Sequence, residues 1–135
     1  MSGKVFIDTN ILVYLYSEDE PGKRLKSQTL LEDTDSIIST QILNEFANIL
    51  LMKFKIDQES VSKSILELSE KFTVVIPGLS AILKALSISK RFGYSYYDSL
   101  VIATSLENGC AVLYTEDMQN SQIIDDALTI VNPFK

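Results

Sequence analysis

The sequence predicts an α/β fold with a central, mostly parallel sheet, and three observations predict it. Short apolar runs (Val5-Phe6-Ile7, Ser36-Ile37-Ile38-Ser39, Phe72-Thr73-Val74-Val75-Ile76 and Ala111-Val112-Leu113-Tyr114) are spaced along the chain. Stretches of helical periodicity separate them, which is the pattern of parallel strands covered on both faces. A length of 135 residues with 46 % hydrophobic and 22 % charged side chains suits one compact domain, residues 1–135, able to bury a core without disulfides.

In order, Val5-Phe6-Ile7 reads as a strand that runs straight into Asp8-Thr9-Asn10, and the helical run Ile11–Tyr16 follows at once. Alone, Asp8, Thr9 and Asn10 read as helix caps. The same place is also the carboxyl end of a buried strand, where open α/β sheets build their sites. Glu18-Asp19-Glu20-Pro21-Gly22 reads as a solvated turn, with Pro-Gly as punctuation. A second helix, about Lys23 to Glu32, is expected to turn Leu25, Thr29 and Leu30 toward the core. Asp33-Thr34-Asp35 reads as a loop before the strand 36–39.

Thr40 is placed to cap a third helix carrying Leu43, Phe46, Ala47, Leu50 and Phe54 at helical spacing, with Glu45 on the flank of that stripe. Asp57 caps a fourth through about Ser69, with Val61, Ile65, Leu66 and Leu68 as its apolar residues. The strand 72–76 stops at Pro77-Gly78, and a helix from about Ser80 to Arg91 ends near Gly93, a fitting terminator. Ser95-Tyr96-Tyr97-Asp98 opens the next helix in the manner of a capping box and leads to Asn108-Gly109. The strand Ala111–Tyr114 ends in Thr115-Glu116-Asp117, and a final strand, about Leu128 to Val131, precedes Pro133.

Composition excludes several chemistries. There is no histidine, which removes imidazole bases, Ser-His-Asp and Cys-His systems and every His-ligated metal. Cys110 is the only cysteine and sits in an apolar run, so a reduced thiol and a cytoplasmic location are expected. No apolar run approaches the ~20 residues that span a bilayer, and the N-terminus lacks the apolar core of a signal peptide. A net charge of −6 argues against a broad basic nucleic-acid surface, although divalent ions can offset acids gathered in a site. Candidate cations for meeting a nucleic acid are Lys23, Arg24, Lys26, Lys53, Lys55, Lys90 and Arg91, and for each a solvated helix face is the simpler role.

Four acids stand at comparable places. Asp8 and Asp117 follow buried strands, Asp98 lies in the first turn of a helix, and Glu45 lies about a turn into a helix that directly follows a strand. In a parallel sheet these places share one edge. Singly, Asp98 reads as an acid favoured by the helix dipole, Asp117 as a turn residue and Glu45 as an exposed helix acid. Together, four carboxylates in one pocket would repel unless cations joined them, and Mg²⁺ or Mn²⁺ suits oxygen donors. Such a site hydrolyses phosphodiesters without histidine. Thr9, Asn10 and Thr115 can then orient the carboxylates.

The chain resembles the PIN-domain family, and within it the VapC-type toxins of toxin–antitoxin pairs, over essentially its full length. Phe6-Ile7-Asp8-Thr9-Asn10-Ile11-Leu12 is similar to the family's opening motif, and Ser39–Glu45 to the segment with its second acid. Ser95–Ala103 resembles the third-acid helix, and Asn108-Gly109-Cys110 with Val112–Asp117 the last strand and fourth acid. The resemblance implies a PIN-like three-layer α/β/α sandwich and a Mg²⁺- or Mn²⁺-dependent endoribonuclease. Asp8, Glu45, Asp98 and Asp117 would be its metal-binding, catalytic acids, with Thr9, Asn10, Thr115 and Glu116 around them. It also implies a homodimer, a cognate antitoxin that blocks the enzyme, and DNA contact only through that antitoxin. The chain departs from many relatives in placing Asn120 where they carry a further acid, and Glu116-Asp117 leaves open which acid faces the metal.

Rival readings are a PIN scaffold that binds RNA or protein without cutting, a stand-alone RNA-processing nuclease, and another phosphoryl-transfer enzyme. Dehalogenase-type phosphatases want Asp-x-Asp, where this chain has Asn10. No receiver-type acid pair precedes the first strand's end, and no Walker-type loop occurs. The apolar helix surfaces around Phe46–Phe54 and Ile65–Leu68 are candidates for dimer or antitoxin contacts as well as for the core.

Overall fold

The computed structural model describes residues 3–32 and 35–135. Asp33 and Thr34 of the expected loop lie outside the described residues, as do Met1 and Ser2. Strands β1 (Lys4–Ile7), β2 (Ser36–Ser39), β3 (Thr73–Val75), β4 (Cys110–Tyr114), β5 (Ile123–Ile124) and β6 (Leu128–Val131) form one sheet in the order β3-β2-β1-β4-β6-β5. All neighbours pair in parallel except β5 and β6. The chain winds outward from β1 to β3, then crosses back to β4 on the other side of β1. The switch point therefore lies between β1 and β4, where their carboxyl ends open a crevice.

Helices α1 (Thr9–Tyr16), α2 (Pro21–Leu30), α3 (Thr40–Met52) and α4 (Gln58–Lys71) pack in sequence against one another, while α5 (Leu79–Phe92) packs on α6 (Tyr96–Glu107). Right-handed crossovers put these two groups on opposite faces, giving a three-layer α/β/α sandwich. Phe6, Ile7, Ile38 and Leu113 have no exposed surface and form the sheet's part of the core, with Ile11, Leu12, Ile42, Phe46 and Ile102 against it. Helix α6 is buried from Ser99 through Ser105. Its Thr104 and Ser105 hydroxyls donate back to the carbonyls of Leu100 and Val101, 2.7 and 2.8 Å, which satisfies polar groups no water reaches. Ala81, Ala85 and Ala103 let α5 and α6 approach closely.

Several boundaries differ from expectation for physical reasons. Pro21 and Gly22 are not a turn but the first residues of α2, where a proline's missing N–H costs nothing. The inward residues of this segment are Ser27 and Leu31, one turn apart, so Leu25 is 65 % exposed and Thr29 faces water. Ser39, not Thr40, caps α3 by accepting from the Ile42 N–H at 3.2 Å. Ile76 lies one residue past the last pair of β3, Val75 with Ser39, and is exposed. The two-residue β5 is too short for any sequence pattern. Asp57 and Ser95 cap α4 and α6 as expected, and Gly93 ends α5 at φ 79°. The apolar stripe of α3 is core rather than interface at Phe46 and Leu50, whereas Leu66 on α4 is exposed.

That contrast is measurable in urea. Phe46→Ala is expected to lower stability by about 3–5 kcal/mol, the range for emptying a buried aromatic site. Leu66→Ala is expected to change it by no more than about 0.5 kcal/mol.

Candidate functional site

The site begins with Asp8, the residue that follows β1. Its N–H donates to the Tyr114 carbonyl of β4 at 3.0 Å, so the strand ladder fixes the backbone one residue beyond the strand. The side chain is buried, 6 % exposed. One carboxylate oxygen accepts from the Thr9 N–H at 2.8 Å, which makes Asp8 the cap of α1, and the other accepts from the Thr115 hydroxyl at 2.7 Å. Thr115 is itself fully buried and follows β4, its N–H bonded to the Val131 carbonyl at 3.0 Å. The same Thr115 oxygen accepts from the Asp117 N–H at 3.2 Å. One hydroxyl thus joins the first and the last of the four acids.

The neighbouring side chains complete the arrangement. Thr9 donates its hydroxyl to Glu45 at 3.0 Å, and Asn10 donates its amide to Asp117 at 2.8 Å. Glu45 also accepts from Gln41 at 2.8 Å, and the same amide reaches the Tyr97 carbonyl at 3.2 Å. Asp98, half-buried in the first turn of α6, is tied to Ser95 through its N–H at 3.2 Å. Glu116 turns away from this group. It accepts from the Tyr14 hydroxyl and pairs with Lys23 at 3.0 Å, and Lys23 lies over the rings of Tyr14 and Phe134. Asn120 is committed elsewhere, accepting from the Asn132 N–H at 2.8 Å.

The electrostatics link all four acids. Burial pushes the Asp8 carboxyl up to about 6, with repulsion from Glu45 and Asp117 adding to it and the Thr115 and Thr9 hydrogen bonds opposing. Burial also raises Asp98, with Glu45 contributing, and raises Asp117, with Glu116 and Asp98 contributing. The ion pairs among the described residues are Lys23–Glu116, Lys63–Glu59 and Arg91–Asp125, so none reaches these four carboxylates. Uncompensated acids of this kind mark functional sites. As the side chains stand, no group of three acids among the described residues is gathered closely enough to hold one ion. The donor set nevertheless suits a hard divalent cation: carboxylate oxygens, no cationic side chain paired to them among the described residues, and neutral hydrogen-bond donors behind them.

The structure places Asp8 and Asp117 beyond the ends of β1 and β4, Glu45 on α3 and Asp98 in the first turn of α6, with Thr9, Asn10 and Thr115 hydrogen-bonded to Glu45, Asp117 and Asp8 in turn. Gln41, Tyr14 and Lys23 went unnoticed as supports. Gln41 was readable, because it precedes Glu45 by four residues and so shares its helix face. Tyr14 and Lys23 meet Glu116 only through the fold. Two of the cations considered for RNA, Lys23 and Arg91, are spent on Glu116 and Asp125.

A family profile for the PIN domain matches residues 5–123, and the chain belongs to that family. No curated protein matches it in a sequence comparison. Among solved structures, a toxin–antitoxin complex from Klebsiella pneumoniae is similar with a TM-score of 0.75 at 19 % identity, over 96 % of this chain and 98 % of that one. The sarcin-ricin-loop-cleaving toxin VapC20 of Mycobacterium tuberculosis gives 0.69 at 16 % identity, over 84 % and 92 %. DNA-bound VapBC from Salmonella typhimurium gives 0.68 at 18 % identity, over 96 % and 97 %.

The raised Asp8 carboxyl sets a pH test. A group whose folded pKa lies above its unfolded value holds its proton more tightly when folded. The stability this lends is therefore full below 3.8 and is lost as pH rises through about 6. In chelator, Asp8→Asn should be more stable than the unsubstituted protein at pH 8, by up to about 3 kcal/mol, and the two should converge near pH 4. Urea titrations at the two pH values measure this, and a difference independent of pH contradicts it.

Proposed function

We propose that this chain is a Mg²⁺- or Mn²⁺-dependent endoribonuclease and the toxin of a toxin–antitoxin pair, with residues 1–135 acting as one domain. The observation that carries the reading is the arrival at one edge of four carboxylates from four elements, each repelled by a neighbour in the group and none ion-paired to a cationic side chain among the described residues. Asp8, Glu45, Asp98 and Asp117 would hold the ion or ions. When bound, these supply charge neutralisation at the scissile phosphate and a more acidic water. The rest is done by the chain. Thr115 holds Asp8 and the Asp117 loop in register, Thr9 and Gln41 fix Glu45, and Asn10 fixes Asp117. Asp117 rather than Glu116 is the ligand, since Glu116 is pinned to Lys23 and Tyr14.

Likeness to a toxin–antitoxin complex and to VapBC bound to DNA supports an antitoxin partner that would itself carry any DNA contact. A homodimer is supported by α5, which exposes Leu79, Leu83 and Leu86 in one stripe next to Ile76. A cytoplasmic location fits a buried, free Cys110, and no helix among the described residues is long and apolar enough to cross a membrane. The second reading is a PIN scaffold that binds without cutting, and the absence of a ready three-acid cluster among the described residues favours it.

Incubation with single-stranded RNA separates the two. Cleavage is expected with Mg²⁺ or Mn²⁺ and not in EDTA. Asp8→Asn and Asp98→Asn should reduce it by at least about 100-fold while circular dichroism stays unchanged, and Thr115→Val by about 10- to 100-fold. RNA binding without cleavage in either metal would establish the scaffold instead.

A further inference from the structure

Beside two of the four acids lies an open cleft of about 510 Å³ lined by Gln41, Asn44, Glu45, Asn48, Tyr97 and Asp98. Residues 41, 44, 45 and 48 share one face of α3. A helix face that merely meets water usually carries Lys and Glu, whereas this one carries three carboxamides around a single acid. The Gln41 amide is used within the chain, bridging Glu45 and the Tyr97 carbonyl. The Asn44 and Asn48 amides are exposed and have no partner among the described residues. Tyr97 is 65 % exposed, and its ring is braced at an angle of 70° by the Tyr96 ring, with centroids 5.3 Å apart. An exposed aromatic is here held in place beside unpaired amides, one residue from Asp98.

The charge of the cleft selects its occupant. No Lys or Arg lines it, so beyond any ion held at Glu45 and Asp98 the cleft offers a second phosphate no cation. A flat, neutral ring with hydrogen-bonding edges fits all the lining groups. Proteins that read single-stranded RNA stack splayed bases on tyrosine and pair their edges with polar side chains. A carboxamide offers a donor and an acceptor side by side, which is how Asn and Gln pair with base edges.

We propose that this cleft is the subsite for one unpaired nucleobase, on the nucleotide flanking the scissile phosphate, with Tyr97 stacked on its face and Asn44 and Asn48 paired to its edge. The proposal rests on the ribonuclease reading and deepens it. The substrate is then single-stranded RNA, and part of its sequence preference resides on α3.

The test uses a single-stranded RNA cleaved at one mapped bond, with abasic versions at each flanking nucleotide and versions carrying each of the four bases there. Loss of the base at one flank should lower kcat/KM of the unsubstituted protein by about 5- to 150-fold, the worth of one base stacked on an aromatic. Tyr97→Ala should lose much of that factor on the intact RNA and nothing more on the abasic one, because the abasic site has already removed the base that Tyr97 stacks on. Tyr97→Phe, which keeps a ring to stack on, should recover most of what Tyr97→Ala loses, and Asn44→Ala with Asn48→Ala should level the preference among the four bases. Multiplying effects of Tyr97→Ala and the abasic site, or full activity of Tyr97→Ala, overturns the proposal. If the unsubstituted protein cleaves nothing, the ribonuclease reading has failed by itself. Fluorescence anisotropy with a short single-stranded RNA and versions made abasic at each position in turn then decides the subsite: tighter binding of the intact RNA that depends on Tyr97 supports it, and equal binding overturns it.

Discussion

The molecule depends on one buried contact, the Thr115 hydroxyl on the Asp8 carboxylate at 2.7 Å. It lies at the switch point, where β1 and β4 pair and the chain's two windings diverge. The hydrophobic core brings the strands to this place, since Phe6, Ile7 and Leu113 have no exposed surface. A carboxylate delivered there by apolar burial is poorly solvated, and two hydrogen bonds offset only part of that cost. The fold therefore carries a local destabilisation at its centre, as sites shaped for function commonly do.

From this contact the remaining acids are reached by short polar links instead of through the core. Thr9 leads to Glu45, Asn10 leads to Asp117, and Gln41 leads from Glu45 to the backbone at Tyr97 beside Asp98. Each link crosses between elements far apart in sequence, so the site reports on the whole topology. Helix α6 is buried over seven consecutive residues, which makes the first turn carrying Asp98 a rigid platform. Lys23 has a different part. By drawing Glu116 toward Tyr14 and Phe134, it leaves Asp117 as the member of the acidic pair that faces the others.

Much of this was legible in the sequence. The strands β1, β2 and β4 are legible as apolar runs, and the acids that follow β1 and β4 stand out as deviations from that pattern. Asp8 reads equally well as a cap and as a site residue because it is placed to be both: one carboxylate oxygen caps α1 and the other accepts from Thr115. What could not be read depended on tertiary packing. Leu25 looks like a core residue until Ser27 and Leu31 are seen to take the inward positions. Pro21-Gly22 has turn composition, yet proline is equally at home opening a helix. That Glu116 is drawn aside from Asp117 depends on Lys23, more than ninety residues away.

The claim on which the account stands is that Asp8, Glu45, Asp98 and Asp117 form one divalent-metal centre. Crystals soaked in Mn²⁺ and measured at the manganese absorption edge test this most directly. The account predicts an anomalous peak bounded by these four carboxylates, lost in Asp8→Asn. No peak there, or manganese confined to surface acids such as Glu18, Asp19 and Glu20, would contradict it.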